Sequence, residues 1–182
     1  MRIFAVRHGQ TDWNFEGRVQ GRSDIPLNQE GRRQAHETAE KLAGLDADIG
    51  SVVTSPLMRA QETAEIIAGC LGAETEINGG LVERDFGVYE GKLIADVNIG
   101  ALRRWTDNAP TPDGETIRET ASRVFRAMDE IIDKHKGHNI AIVVHGHVMR
   151  SIIWYFEGLP TDGDEPAFPV GNCEVFEFGN VE

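Results

Sequence analysis

Two short stretches of this chain are apolar without interruption: "IFAV" at residues 3–6, and "IAIVV" at residues 140–144, which follows the turn-like "KGHN". A strand with one face in water alternates polar and apolar side chains. A run of this length with no polar member, rich in β-branched residues, is instead covered on both faces, the pattern of a parallel sheet between helices. "SVVTS" at residues 51–55 reads as a third, weaker strand, and "CEVFEF" at residues 173–178 as a final one.

The sequence between these runs has helical spacing. From Asn28, a suitable N-cap, apolar or small residues recur at Ala35, Ala39, Leu42 and Ala43, and Gly44 is a natural stop. Pro56 sits where a first helical turn tolerates it, followed by Ala60, Ala64, Ile67, Ala68 and Leu71. The clearest helix carries Ile117, Ala121, Val124, Met128, Ile131 and Ile132 and closes at Gly137, and a last one is expected over residues 148–156. Strands alternating with helices give an α/β fold, a three-layer α/β/α sandwich with a mostly parallel central sheet.

A chain of 182 residues suits one domain over residues 1–182. Hydrophobic residues make up 40% and charged residues 26%, which is globular rather than fibrous or disordered composition. The formal net charge of −12 argues against a nucleic-acid partner, since such proteins need a basic face to neutralise phosphates. Any phosphate-bearing ligand must be held by a local cluster of cations. The opening residues place Arg2 and Arg7 around only four apolar positions and do not read as a signal-peptide core. The longest strictly apolar run, 140–144, is far short of the ~20 residues of a membrane helix, so no membrane partner is expected. Cys70 and Cys173 lie far apart with no C-x-x-C spacing, which fits a reducing, cytoplasmic setting.

In open α/β sheets, ligands bind beyond the carboxyl ends of the strands. Arg7, His8 and Gly9 follow the first strand, "SPLMRA" places Arg59 early in a helix after the second, and "HGH" at residues 145–147 follows the third. Two guanidiniums and two or three imidazoles would meet at one edge of the sheet. Arginine's planar fork matches two phosphate oxygens, and a neutral imidazole can form a covalent intermediate once its ring is oriented and the transferred charge is neutralised. Phosphoryl transfer needs little beyond this positioning and charge balance, plus an acid for the leaving oxygen. "LVERDFGVYEG" offers Glu83 or Glu90 for that role, and the residues alone leave the pair undecided.

The run "VRHGQTDWN" resembles the R-H-G-x-T-x-x-N signature of the histidine phosphatase superfamily, which includes cofactor-dependent phosphoglycerate mutases and many small phosphatases. The likeness continues in order through "GRVQGRSDIPLNQEGRRQA", "SPLMRAQETA", "LVERDFGVYEG" and "VVHGHVMR", so that it covers nearly the whole chain. The resemblance implies a phosphoglycerate mutase-like fold and a phosphomonoesterase acting on a small phosphorylated metabolite, with no metal and no cofactor. His8 would become phosphohistidine, with Gly9 giving the backbone room and orienting the ring. Arg7, Arg59 and His145 would bind the phosphoryl group, assisted by Asn14. Glu83, in the family's L-x-E position, would be the acid and later the base, and Gln20 and Gly21 would line the substrate pocket.

The chain departs from the pattern at Asn28, where relatives usually have threonine, a change between two capping residues. The short segment between Gly91 and Glu115 resembles the phosphatase branch, while Arg103 and Arg104 keep a partial mutase likeness, so mutase-type transfer is the alternative. His147 is assigned no catalytic role. In an extended segment His145 and His147 would face one side, which also suits a metal site, though no acidic cluster with ligand spacing accompanies them. A silent phosphate-binding module is the rival from outside enzymology, and this chain keeps candidates for every catalytic role. Trp105, Phe86 and Tyr89 would either line the leaving-group pocket or pack, with packing expected for Phe86.

Overall fold

The computed structural model describes residues 1–98, 100, 102, 105, 108–159 and 170–179. Its sheet comprises β1 (Ile3–Arg7), β2 (Ile49–Thr54), β3 (Glu74–Ile77), β4 (Asn139–Val144) and β5 (Val175–Phe178), in the spatial order β3-β2-β4-β1-β5. The first four are mutually parallel and β5 lies antiparallel on β1. The helices are α1 (Asp12–Phe15), α2 (Gln29–Ala43), α3 (Met58–Leu71), α4 (Ile117–Lys134) and α5 (Gly146–Glu157), with 3₁₀ turns that include Gly79–Leu81 and Gly87–Tyr89.

The uninterrupted apolar runs are explained by cover on both faces. Along β1, Ile3 and Ala5 join Ile140, Ile142 and Val144 of β4 in a core with Val124, Met128 and Ile131 of α4 and Met149 and Ile152 of α5. Phe4 and Val6 point the other way, joining Ala141 and Val143 in a second core with Ala39 and Leu42 of α2 and Ala60, Ala64 and Ile67 of α3. The strand period of two sends alternate residues to opposite layers, and each fully buried aliphatic side chain contributes about 1.5–3 kcal/mol. This is the expected three-layer α/β/α sandwich.

Helix ends follow local chemistry. The Asn28 side chain accepts the Gly31 amide at the start of α2, and Thr116 and Glu119 form a reciprocal capping box at the start of α4. Two helix starts and one strand differ from expectation. Pro56 precedes the α3 N-cap, Leu57, and so lies outside the helix. Helix α5 begins at Gly146, two residues early, with His145 as its N-cap. Strand β3 was not expected, because "ETEI" is an edge strand with little burial and no apolar pattern. Among the described residues no helix is long and apolar enough to cross a membrane.

Register sets up the site. Arg7 is paired with Val144, and Thr54 with Val143, so three parallel strands end within about one residue of each other. Residues 8, 55 and 145 therefore start their loops from one edge.

Candidate active site

His8 leaves β1 buried, at 2% exposure. Its Nδ1 lies 2.7 Å from the carbonyl oxygen of Gly9. A carbonyl can only accept, so Nδ1 carries the hydrogen and Nε2 is bare. Consistent with this, Nε of Arg59 donates to Nε2 at 3.3 Å. Burial above all, then the charges of Arg59 and Arg7, hold the imidazole well below its ordinary value of 6.5, against a smaller opposing effect of the Gly9 carbonyl. The ring is thus neutral, fixed in tautomer, and presents a lone pair. Gly9 is required by close approach: a Cβ there would stand 2.4 Å from the backbone oxygen of Gly31 on α2.

Arg59 occupies the first turn of α3 at 1% exposure. Its terminal nitrogens donate to the carbonyls of Ser23 at 2.8 Å and Gly21 at 2.7 Å. Burial lowers its pKa to about 10, although Glu83 and Asp24 pull upward, so it remains a cation at neutral pH. Arg7 donates to the carbonyl of Val170 and faces the same space.

The two candidate carboxylates have different surroundings. Glu90 accepts from the Arg22 and Ser23 amides and from the Ser23 hydroxyl, at 2.6–2.8 Å, and ties the 20–23 loop to its own. Gly21, at φ +55°, passes so close that a Cβ would sit 2.1 Å from Oε1 of Glu90. Glu83 accepts from the amide of Arg84 at 2.8 Å and from the amide of His147 at 3.2 Å, and its side chain lines the cavity, which that of Glu90 does not. Arg84, fully buried, anchors the segment by donating to Leu102 O, Thr111 Oγ1 and Glu115 O at 2.6–3.0 Å.

The cavity has a volume of about 540 Å³. Of the residues singled out from sequence, Arg7, His8, Asn14, Gln20, Gly21, Arg59 and Glu83 all line it. Gln20 accepts the Thr11 hydroxyl at 2.9 Å, and Asn14 accepts from Asn172 at 3.3 Å. His145 is not among the residues that line the cavity; it is fully buried beside His8, with ring centroids 5.1 Å apart. The expected common face of His145 and His147 is absent because α5 begins between them. His147 instead gives its backbone amide to Glu83, and its ring meets Phe86 edge-on. Among the described residues no group of three or more His, Cys, Asp or Glu is arranged to hold a metal.

Phe86 both packs, with Val19, Val97 and Leu102, and lines the cavity, so the expected choice between the two is a false one. Trp105 packs edge-on against Trp154. Arg103 and Arg104 lie outside the described residues. Sequence reasoning missed Arg18, Arg150, Ile94 and Asn172, all in the cavity wall. Asn172 also donates to the carbonyl of His8 at 3.0 Å. None of the four stands at a parallel strand end, and Arg150 carries no signal beyond its place in "HGHVMR".

Fold and site together define an α/β sandwich protein with a neutral imidazole beside the buried Arg59 and the half-buried Arg7 at the carboxyl edge of its sheet. The chain belongs to the histidine phosphatase superfamily (branch 1), whose model it matches over residues 3–179. It is 33% identical over 181 residues to a protein named as the probable phosphoglycerate mutase GpmB of Cronobacter sakazakii, covering 96% of this chain and 83% of the relative. It is 37% identical over 156 residues to the protein named as the uncharacterized phosphatase PhoE of Bacillus subtilis, covering 86% and 77%. Among solved structures, a mycobacterial glucosyl-3-phosphoglycerate phosphatase superposes with a TM-score of 0.85 at 27% identity, covering 97% of this chain and 91% of that one.

Proposed function

We propose that this protein is a phosphomonoesterase that hydrolyses a small phosphorylated metabolite through a phosphohistidine at His8, without a metal. The observation that carries this reading is the bare, buried Nε2 of a neutral His8 held at 3.3 Å from Arg59, in a cavity that also contains Glu83.

Nε2 attacks phosphorus in line as the bond to the leaving oxygen breaks, and the carboxyl of Glu83 gives that oxygen its proton. The resulting carboxylate then takes a proton from water, whose oxygen attacks phosphorus while the P–N bond breaks, releasing phosphate and restoring neutral His8. Arg7, Arg59 and His145 balance charge on the equatorial oxygens. Arg59 meets Nε2 in the resting state and transfers its hydrogen bonds to the incoming phosphoryl group, so that the lone pair is released only when substrate arrives.

The cavity volume falls in the ~300–1,000 Å³ range of small-molecule sites. Beyond the phosphate clamp its wall combines Arg18 and Arg150 with apolar Val19, Phe86 and Ile94, which suits a compact leaving group. A phosphoglycerate mutase-type transfer shares the first half of this chemistry, and the likeness to GpmB favours keeping it as the second reading. The completeness of the set argues against a silent phosphate-binding module.

The test is turnover of nitrophenyl phosphate by wild type and His8→Ala, with and without a chelator. Loss of hydrolysis in the variant and chelator-insensitive wild-type turnover are expected; wild-type-like turnover by the variant refutes the mechanism. A panel of phosphorylated metabolites, scored in parallel for free phosphate and for isomer interconversion, separates phosphatase from mutase.

A further inference from the structure

Buried polar atoms without a partner are uncommon and cost about 1–3 kcal/mol each, so each calls for an explanation. Nδ1 of His145 is such an atom: it is inaccessible to solvent and has no hydrogen-bond partner among the described residues. The ring is fully buried, and burial first, then the charges of Arg59, His8 and Arg7, hold it well below 6.5. It is therefore neutral and carries a single N–H, on one nitrogen or the other.

Across the ring, Nε2 lies 2.7 Å from Oγ of Ser55, a residue with no exposed surface. That hydroxyl oxygen already accepts the amide of Leu57 at 3.3 Å. Among the described residues, the acceptor recorded within reach of its hydrogen is Nε2 of His145. If Nε2 held the proton instead, the buried serine hydrogen would be left without an acceptor.

We propose that Ser55 is a positioning residue that fixes the tautomer of His145, its hydroxyl donating to Nε2 so that the ring's one N–H stands on Nδ1 as a donor reserved for the transferred phosphoryl group. The phosphoryl role rests on the function proposed above; the tautomer does not. The two imidazoles then carry their protons on the same ring atom for opposite purposes. In His8 the Gly9 carbonyl takes the Nδ1 hydrogen and leaves Nε2 to attack. In His145 the Ser55 hydroxyl occupies Nε2 and leaves the Nδ1 hydrogen to stabilise charge. No proton is transferred by His145, and its donor stays unsatisfied until an anion satisfies it.

The test is an imidazole nitrogen–proton correlation spectrum of the nitrogen-labelled full chain at neutral pH, with His145 assigned by the signal lost in His145→Gln. The expected wild-type pattern is protonated Nδ1 and bare Nε2. In Ser55→Ala that pattern shifts toward the other tautomer or a mixture, and kcat/KM for nitrophenyl phosphate falls roughly 10- to 100-fold, as for other groups that orient a functional imidazole. A wild-type spectrum with the proton on Nε2 overturns the proposal, as does Ser55→Ala with an unchanged His145 pattern and turnover within about twofold of wild type. Should Ser55→Ala fail to fold, the wild-type spectrum alone decides. Failure of the phosphohistidine reading would appear separately, as hydrolysis persisting in His8→Ala.

Discussion

Glu83 and Glu90 are seven residues apart in one loop, both carboxylates, and their sequence neighbourhood gives neither a chemical advantage. What separates them is the hydrogen bonds each makes. Glu90 holds two backbone amides and a hydroxyl of the 20–23 loop, whose carbonyls in turn hold Arg59. Glu83 is held by two amides and faces the cavity. The two substitutions should therefore fail differently. Glu83→Gln should slow alkyl phosphates by about 10²–10⁴-fold, the usual worth of general acid catalysis, and nitrophenyl phosphate far less, because a good leaving group needs no proton. Glu90→Ala should slow both substrate types alike, since it loosens the arginine rather than the proton donor. A plot of kcat/KM against leaving-group pKa for each variant checks this, and equal losses for both substrate types in Glu83→Gln would exclude the acid role.

At the level of elements, β1 and β4 were legible because burial on both faces leaves an uninterrupted apolar run within each strand, α2 because its cap and periodicity agree, and α4 by its periodicity. Strand β3 was not, since an edge strand owes its pairing to its neighbour β2 rather than to its own side chains. The start of α5 was missed because an N-cap histidine with no capping side-chain bond has no signature in sequence. The junction of β1 with α2 carries the most exacting contact: Gly9 faces Gly31 backbone to backbone, and a Cβ on Gly31 would stand 2.1 Å from the oxygen of Gln10. Gly9→Ala should destabilise the protein by about 1–3 kcal/mol, the usual cost of overpacking. It should also lower turnover by displacing the carbonyl that orients His8. A fall in the denaturation midpoint together with kcat would bear this out, and an unchanged midpoint would show that the junction yields.

For the molecule as a whole, an acidic chain of formal charge −12 concentrates buried cations and neutral imidazoles at one sheet edge. The three strand-end blocks that build this edge could be read from sequence. The residues that complete the wall, such as Arg150 and Asn172, could not, because they reach the cavity through tertiary packing. Folding holds His8 and His145 well below 6.5, so between that value and their lowered folded values the unfolded chain binds more protons than the native one. Their contribution to stability is complete above about pH 6.5 and is lost as the pH falls below it. Denaturation midpoints should decline on acidification from that point, and less steeply in His8→Asn; an identical slope in that variant would contradict the linkage. Turnover should likewise persist below pH 6.5, because the nucleophile stays unprotonated there.

The central claim is that phosphorus is attacked twice, first by His8 and then by water. Each in-line attack inverts configuration, so two restore it. Hydrolysis of a phosphorothioate ester made chiral at phosphorus with oxygen isotopes, in water labelled with the third isotope, should give chiral thiophosphate with net retention; net inversion would mean that water attacks the substrate directly and that no phosphohistidine lies on the path.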